Sequence, residues 1–116
     1  MAKGIGALLG GAAFRTETVD LSEWGVGKIT VREITGKQQV DLAKRYSDDV
    51  PTDQALEFYI DLVVLGVVND NGEPAYKDED REQLRDNPRT LLEAIADAVM
   101  HLSGIHPDAR VDAEKN

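Results

Sequence analysis

Residues 55–68, ALEFYIDLVVLGVV, carry the reading that decides the fold. Only Glu57 and Asp61 interrupt this run with charge, and they stand four residues apart. On a helix that spacing puts both on one narrow strip, expected to face solvent while every other side is apolar. A helix apolar nearly all round must be covered on several sides, so this one is expected to be the central post of a small domain. It is too short and too charged to span a bilayer, which needs about 20 apolar residues. The β-branched Val63, Val64, Val67 and Val68 favour extended structure, and Gly66 is a natural break. The expected helix therefore covers 53–65, with a short extended piece after it.

Beyond the post, Asn69-Asp70-Asn71-Gly72 is a turn signal, because Asn and Gly accept positive φ at little cost. Pro74, Ala75 and Tyr76 are placed to pair back as a short second hairpin. Asp78 is expected to cap a brief helix reaching Arg85, with Glu79 and Asp80 set favourably against its dipole and Leu84 its single committed apolar contact. Asn87-Pro88 opens the last helix, Asn as cap and Pro at the first helical position. Leu91, Leu92, Ile95, Ala98, Val99 and Leu102 then recur at three and four, and Gly104 is the stop.

Before the post, Thr35 is expected to cap a helix over 36–47 whose inward side carries Val40, Ala43 and Tyr46. The residue before Pro51 avoids helical dihedrals, which ends that helix, and Thr52 or Asp53 caps the post. Residues 14–21 (FRTETVDL) and 28–34 (KITVREI) alternate well enough to be strands, joined through Ser22 to Gly27 as a β-hairpin. Trp24 lies at the hairpin tip. There it is either a lid over one end of the core or, if exposed, an anchor for a partner. Residues 1–13 hold four glycines, too many for a secretory signal, and are expected to be a flexible N-terminal tail. Residues 105–116 lack periodicity and are expected to be a disordered C-terminal tail. The expected fold class is α+β: one domain over 14–104, an N-terminal β-hairpin followed by a small bundle of about four helices around a buried central helix.

The chain of 116 residues suffices for one core. Aromatic residues are only 5% of it, so that core must be aliphatic, and the absence of cysteine excludes disulfides and thiolate chemistry. Twenty-two acids against 13 bases give a net charge of -9, which repels phosphate backbones and disfavours nucleic-acid partners. No membrane partner is expected, and a homo-oligomer stays open.

Candidate chemistry is thin. Aligning Gly72 to the invariant glycine of a calcium loop puts Val67 at the first ligand position, and a valine side chain coordinates nothing. His101 and His106, five apart across Gly104, lack a metal-ligand spacing. Asp78 with Asp80, or Glu57 with Asp61, can be drawn as acid/base pairs, yet no further group converges on either. There is no phosphate loop and no nucleophile elbow, so the expected protein is not an enzyme and takes no metal or cofactor. A partner surface is expected at the hairpin tip around Trp24 and at exposed apolar residues of the last helix, such as Met100.

In order along the chain come Glu23-Trp24-Gly25, then Val31-Arg32-Glu33-Ile34-Thr35-Gly36, then an apolar helix leading to Val67-Val68-Asn69-Asp70-Asn71-Gly72. Tyr76, Asp78 and Asp80 follow, and the closing helix ends Leu102-Ser103-Gly104. This succession, over residues 14 to 104, resembles the tail assembly chaperones of long-tailed bacteriophages. The chain departs from that pattern at Ser103, where Asn is commoner, and in its glycine-rich start. The resemblance implies a small α+β protein of the bacterial host cytoplasm, absent from the mature virion. Its implied partners are the tape-measure protein, which it would keep soluble, and the tail-tube protein, which it would help recruit. An alternative from another class is an acidic DNA-mimic inhibitor of a nucleic-acid-binding enzyme, for which the acids should gather on one surface.

Overall fold

A computed structural model of the chain describes residues 13–46 and 52–105. The expected tails at 1–12 and 106–116, His106 and the helix stop at Pro51 lie outside the described residues, as do the capping side chains of Thr52 and Asp53.

The expected α+β architecture is present. Strand β1 (Thr16–Asp20) pairs antiparallel with β2 (Lys28–Arg32), Thr18 opposite Thr30. Between them a short 3-10 turn at Ser22–Trp24 leads back, and the Leu21 N–H closes on the Gly27 carbonyl at 2.7 Å. Helix α1 (Gly36–Arg45) begins at a complete capping box: Thr35 Oγ1 accepts the Gln38 N–H, and Gln38 Oε1 accepts the Thr35 N–H. Helix α2 (Thr52–Gly66) is the post. Every residue from 55 to 68 is buried or half-buried.

The extended piece after it is β3 (Val67–Val68), which joins the far side of β2 with Val67 opposite Val31. Asn69 then folds the turn back on itself, its side-chain oxygen accepting the N–H groups of Asn71 and Glu73. Pro74 bridges back to Val68, and the Ala75 N–H donates to the Val67 carbonyl. The 3-10 turn Asp78–Asp80 runs into α3 (Arg81–Arg85), and α4 (Arg89–Leu102) closes the domain. Among the described residues no helix is long and apolar enough to cross a membrane.

The core lies where α2 packs along α4 and both meet the sheet. The approach is close enough to need Gly66, since a Cβ there would overlap the Val99 side chain. Helix α4 ends in a Schellman motif, with the Ile105 N–H on the Met100 carbonyl, the Gly104 N–H on the His101 carbonyl, and Gly104 at φ 78°. Ile105 packs on the core, one residue past the expected boundary.

Four local expectations change. On α1 the inward residue is Leu42, while Val40 is 52% exposed and Ala43 is exposed, because Gln38, Leu42 and Tyr46 share the side turned to α2. Asp78 does not cap; the Asp80 carboxylate accepts the Lys77 N–H at 2.7 Å instead. Pro88, not Asn87, is the cap residue of α4, and its carbonyl accepts from Leu91 and Leu92. The Asn87 amide closes α3 by donating to the Gln83 and Leu84 carbonyls. Lastly, α4 is covered by α2 on one side and by the sheet on another, so its buried set takes in Ala96 and Met100, while Ala98 and Leu102 of the expected stripe are half-buried.

Candidate functional site

The largest departure from expectation is on the post itself. Asp61 does not face solvent; it is 2% exposed. A buried carboxylate is expensive unless paired and hydrogen-bonded, and here both oxygens are served. Arg45 Nη1 donates to Oδ2 at 2.8 Å, the Tyr46 hydroxyl donates to the same oxygen at 2.6 Å, and Arg81 Nη1 donates to Oδ1 at 2.6 Å. The donors come from two directions. Arg45 and Tyr46 stand at the end of α1, whereas Arg81 opens α3 and also holds Asp78 through its Nε at 3.2 Å. Burial foremost, and then the bond to Asp61, push the Tyr46 phenol up to about 12, so it remains a donor at neutral pH. Hydrogen bonding to Asp61 raises the Arg45 guanidinium.

One turn earlier on α2, Glu57 takes Arg85 in a two-pronged pair, Nε to Oε2 at 2.8 Å and Nη2 to Oε1 at 2.7 Å. That pair lowers the Glu57 carboxyl below its ordinary range and raises Arg85. The two acids four residues apart on α2 are thus answered by two arginines four residues apart on α3. This matched spacing was present in the sequence and was the available signal for the network. Periodicity marks Tyr46 as inward-facing, but neither Arg81 and Arg85 nor Arg45 stands out from composition or periodicity alone.

Beside the Asp61 cluster is a cleft of about 200 Å³, with Leu42, Val64 and Leu65 along its apolar wall and Asp41 and Asp78 at its polar side. Helix α1 is lightly seated over this region. Its one buried residue is Leu42, worth roughly 2 kcal/mol of apolar burial, and its C-terminal end is fixed by the two bonds to Asp61. The opposite flank of α2 is different in kind, with Leu62, Val63, Leu92, Ala96 and Val99 all under 2% exposed. One polar contact spans it at the edge, where the Tyr59 hydroxyl donates to Glu93 at 2.9 Å.

Trp24 is half-buried, packs against the core and donates from Nε1 to Thr90 Oγ1 at 3.3 Å, the geometry of a lid. The exposed apolar side chain at the hairpin tip is its neighbour Val26, 50% exposed. Met100 is only 6% exposed and belongs to the core cluster, so the expectation that it is an exposed contact residue is corrected. Asp78 and Asp80 have separate local partners, Arg81 and the Lys77 backbone. Among the described residues no three His, Cys, Asp or Glu side chains are grouped to hold a metal. What the arrangement does chemically is hold helices together, with carboxylates and guanidiniums in fixed pairs and the Tyr46 hydroxyl donating to Asp61.

No protein-family model matches the chain, and no curated protein matches it. A solved structure does. The fold is similar to that of the bacteriophage HK97 tail assembly chaperone. The likeness covers 74% of this chain and 86% of that one, with a TM-score of 0.52 and 23% sequence identity, which is a likeness of fold.

Proposed function

We propose that this protein is a non-catalytic tail assembly chaperone of a long-tailed bacteriophage. The observation that carries the reading is the fold shared with the HK97 chaperone over most of both chains. The succession of motifs from Glu23-Trp24-Gly25 to Leu102-Ser103-Gly104 supports it independently. In this reading the chain binds the tape-measure protein in the host cytoplasm, keeps it soluble, helps bring tail-tube subunits to it, and leaves before the virion matures. An acidic, aliphatic-cored domain suits that task, because its charge opposes co-aggregation while it covers apolar helical surface on the partner. The hairpin tip, with Trp24 beside exposed Val26, is one proposed contact.

The DNA-mimic alternative is less well supported. Glu33, Glu57, Asp61, Asp78 and Glu82 each pair with an arginine of the same chain, which spends charge that a mimic would present outward.

Co-expression with the tape-measure protein of the same phage tests the proposal. The expected result is transfer of that protein from the insoluble to the soluble fraction, with the two co-purifying, and absence of this chain from purified virions. An unchanged insoluble fraction, or stoichiometric amounts of the chain in the virion, would overturn it.

A further inference from the structure

We propose that the seat of α1 on α2 is a docking groove for an amphipathic helix of a partner, and that α1 is its built-in occupant. The inference deepens the chaperone reading and rests on it only for who the partner is.

The seat has two parts, an apolar strip at Val64 and Leu65 and the buried carboxylate of Asp61. Helix α1 fills it with little of itself: Leu42 meets the strip, and Arg45 with Tyr46 meets the carboxylate. Leu42 and Arg45 are three residues apart, on one face of a helix. The groove therefore reads a large aliphatic residue followed three positions later by arginine, a pattern that any amphipathic helix can carry.

Two features make exchange of occupants feasible. First, the clasp on Asp61 is two-sided. When α1 leaves, Arg81 stays at 2.6 Å, so the buried carboxylate is never left without a cation. Second, a cleft of about 200 Å³ already lies between α1 and the apolar strip of α2, and the chain's net charge of -9 favours an incoming helix that carries a basic side chain. The outer side of α1, with Val40 and Ala43 exposed, buries nothing that would resist its departure. Segments that open locally at low cost are those with few buried apolar contacts, and α1 has the buried Leu42 and, at its end, the half-buried Tyr46 against Phe58.

The test needs no tail protein. A fluorescently labelled peptide of residues 34–47, ITGKQQVDLAKRYS, is titrated with the full chain and followed by anisotropy. The competitor is the protein's own α1, so a double variant Leu42→Ser, Arg45→Ser, which loosens α1 while leaving Asp61, Val64 and Leu65 unchanged, should bind the peptide roughly tenfold or more tightly than the wild type. A peptide carrying the same two serines should bind neither protein. Arg45→Ala alone, at a mostly exposed side chain, is the second variant should the first fail to fold, and is expected to fall between the two. Equal affinity for wild type and variants, or no binding by a variant with native circular dichroism, would overturn the groove. A wild-type dimer dissociated by the peptide would overturn the partner assignment and give the seat to α1 of a second copy. Success here with failure of the co-expression experiment would discard the tape-measure reading and leave the groove.

Discussion

The two flanks of α2 are held by opposite physics. Toward α4 and the sheet the contact is dry and aliphatic, closed to the point that Gly66 is required beneath Val99. Toward α1 and α3 the contact is made largely by charge: Asp61 with Arg45 and Arg81, and Glu57 with Arg85. Apolar burial scales with area and does not depend on orientation, so the first flank supplies stability. A buried ion pair gains little net energy after desolvation but is specific in geometry, so the second flank supplies position and can be undone one partner at a time. The difference teaches where a binding surface can be placed on so small a domain: on the flank whose loss leaves the core closed.

Substitutions separate the two flanks. The largest effect is expected on the dry side, where Leu92→Ala should cost about 3–4 kcal/mol in urea unfolding by leaving a cavity that the close packing cannot refill. A loss under about 1 kcal/mol would mean that this flank is not the source of stability. Next is Asp61→Ala. Arg45 is 57% exposed and Arg81 24%, so both reach water when their acceptor is removed, and the expected cost is about 2 kcal/mol, below that of a fully buried pair. Replacing Asp61, Arg45 and Arg81 together by Leu, Met and Met should recover most of that loss; no recovery would show that the charges contribute more than placement. Gly66→Ala should then cost roughly 1–2 kcal/mol through overlap with the stiff Val99 side chain. Adding Val99→Ala should recover part of it relative to Val99→Ala alone, a coupling that a double-mutant cycle measures.

The smallest effect concerns Glu57. Arg85 holds its folded-state carboxyl below the unfolded value, so the pair's contribution is present above the unfolded pKa and is lost as pH falls through the folded one. The side chain is 38% exposed, and screening reduces the effect to a few tenths of a kcal/mol. Wild type should therefore lose slightly more stability than Glu57→Gln on acidification to about pH 3, and parallel curves would remove Arg85 as the cause.

The sequence discloses the dry flank better than the charged one, for a physical reason. The extent of α2, the break at Gly66, the cap at Thr35 and the stop at Gly104 are set within a few residues by periodicity and backbone chemistry, and each appears where expected. The burial of Asp61 depends on Arg81, 20 residues away, and on α1 turning Leu42 inward in place of Val40. Neither is local. A single apolar stripe on α4 predicts an exposed Met100, whereas the sheet covers a second face of that helix and Met100 is buried. The matched pairs at 57 and 61, 81 and 85 were the one long-range clue available in one dimension.

The contrast between the flanks is tested most directly by native-state hydrogen exchange on the full chain. If α1 rests on one leucine, the Tyr46 ring against Phe58 and a two-sided clasp, its amides from Val40 to Arg45 exchange through local opening. They should do so roughly a hundredfold or more faster than those of β2 and α4, with almost no dependence on added denaturant. Exchange of α1 at the same opening free energy and the same denaturant slope as α4 would contradict it, because α1 would then be as firmly part of the core as the post it leans on.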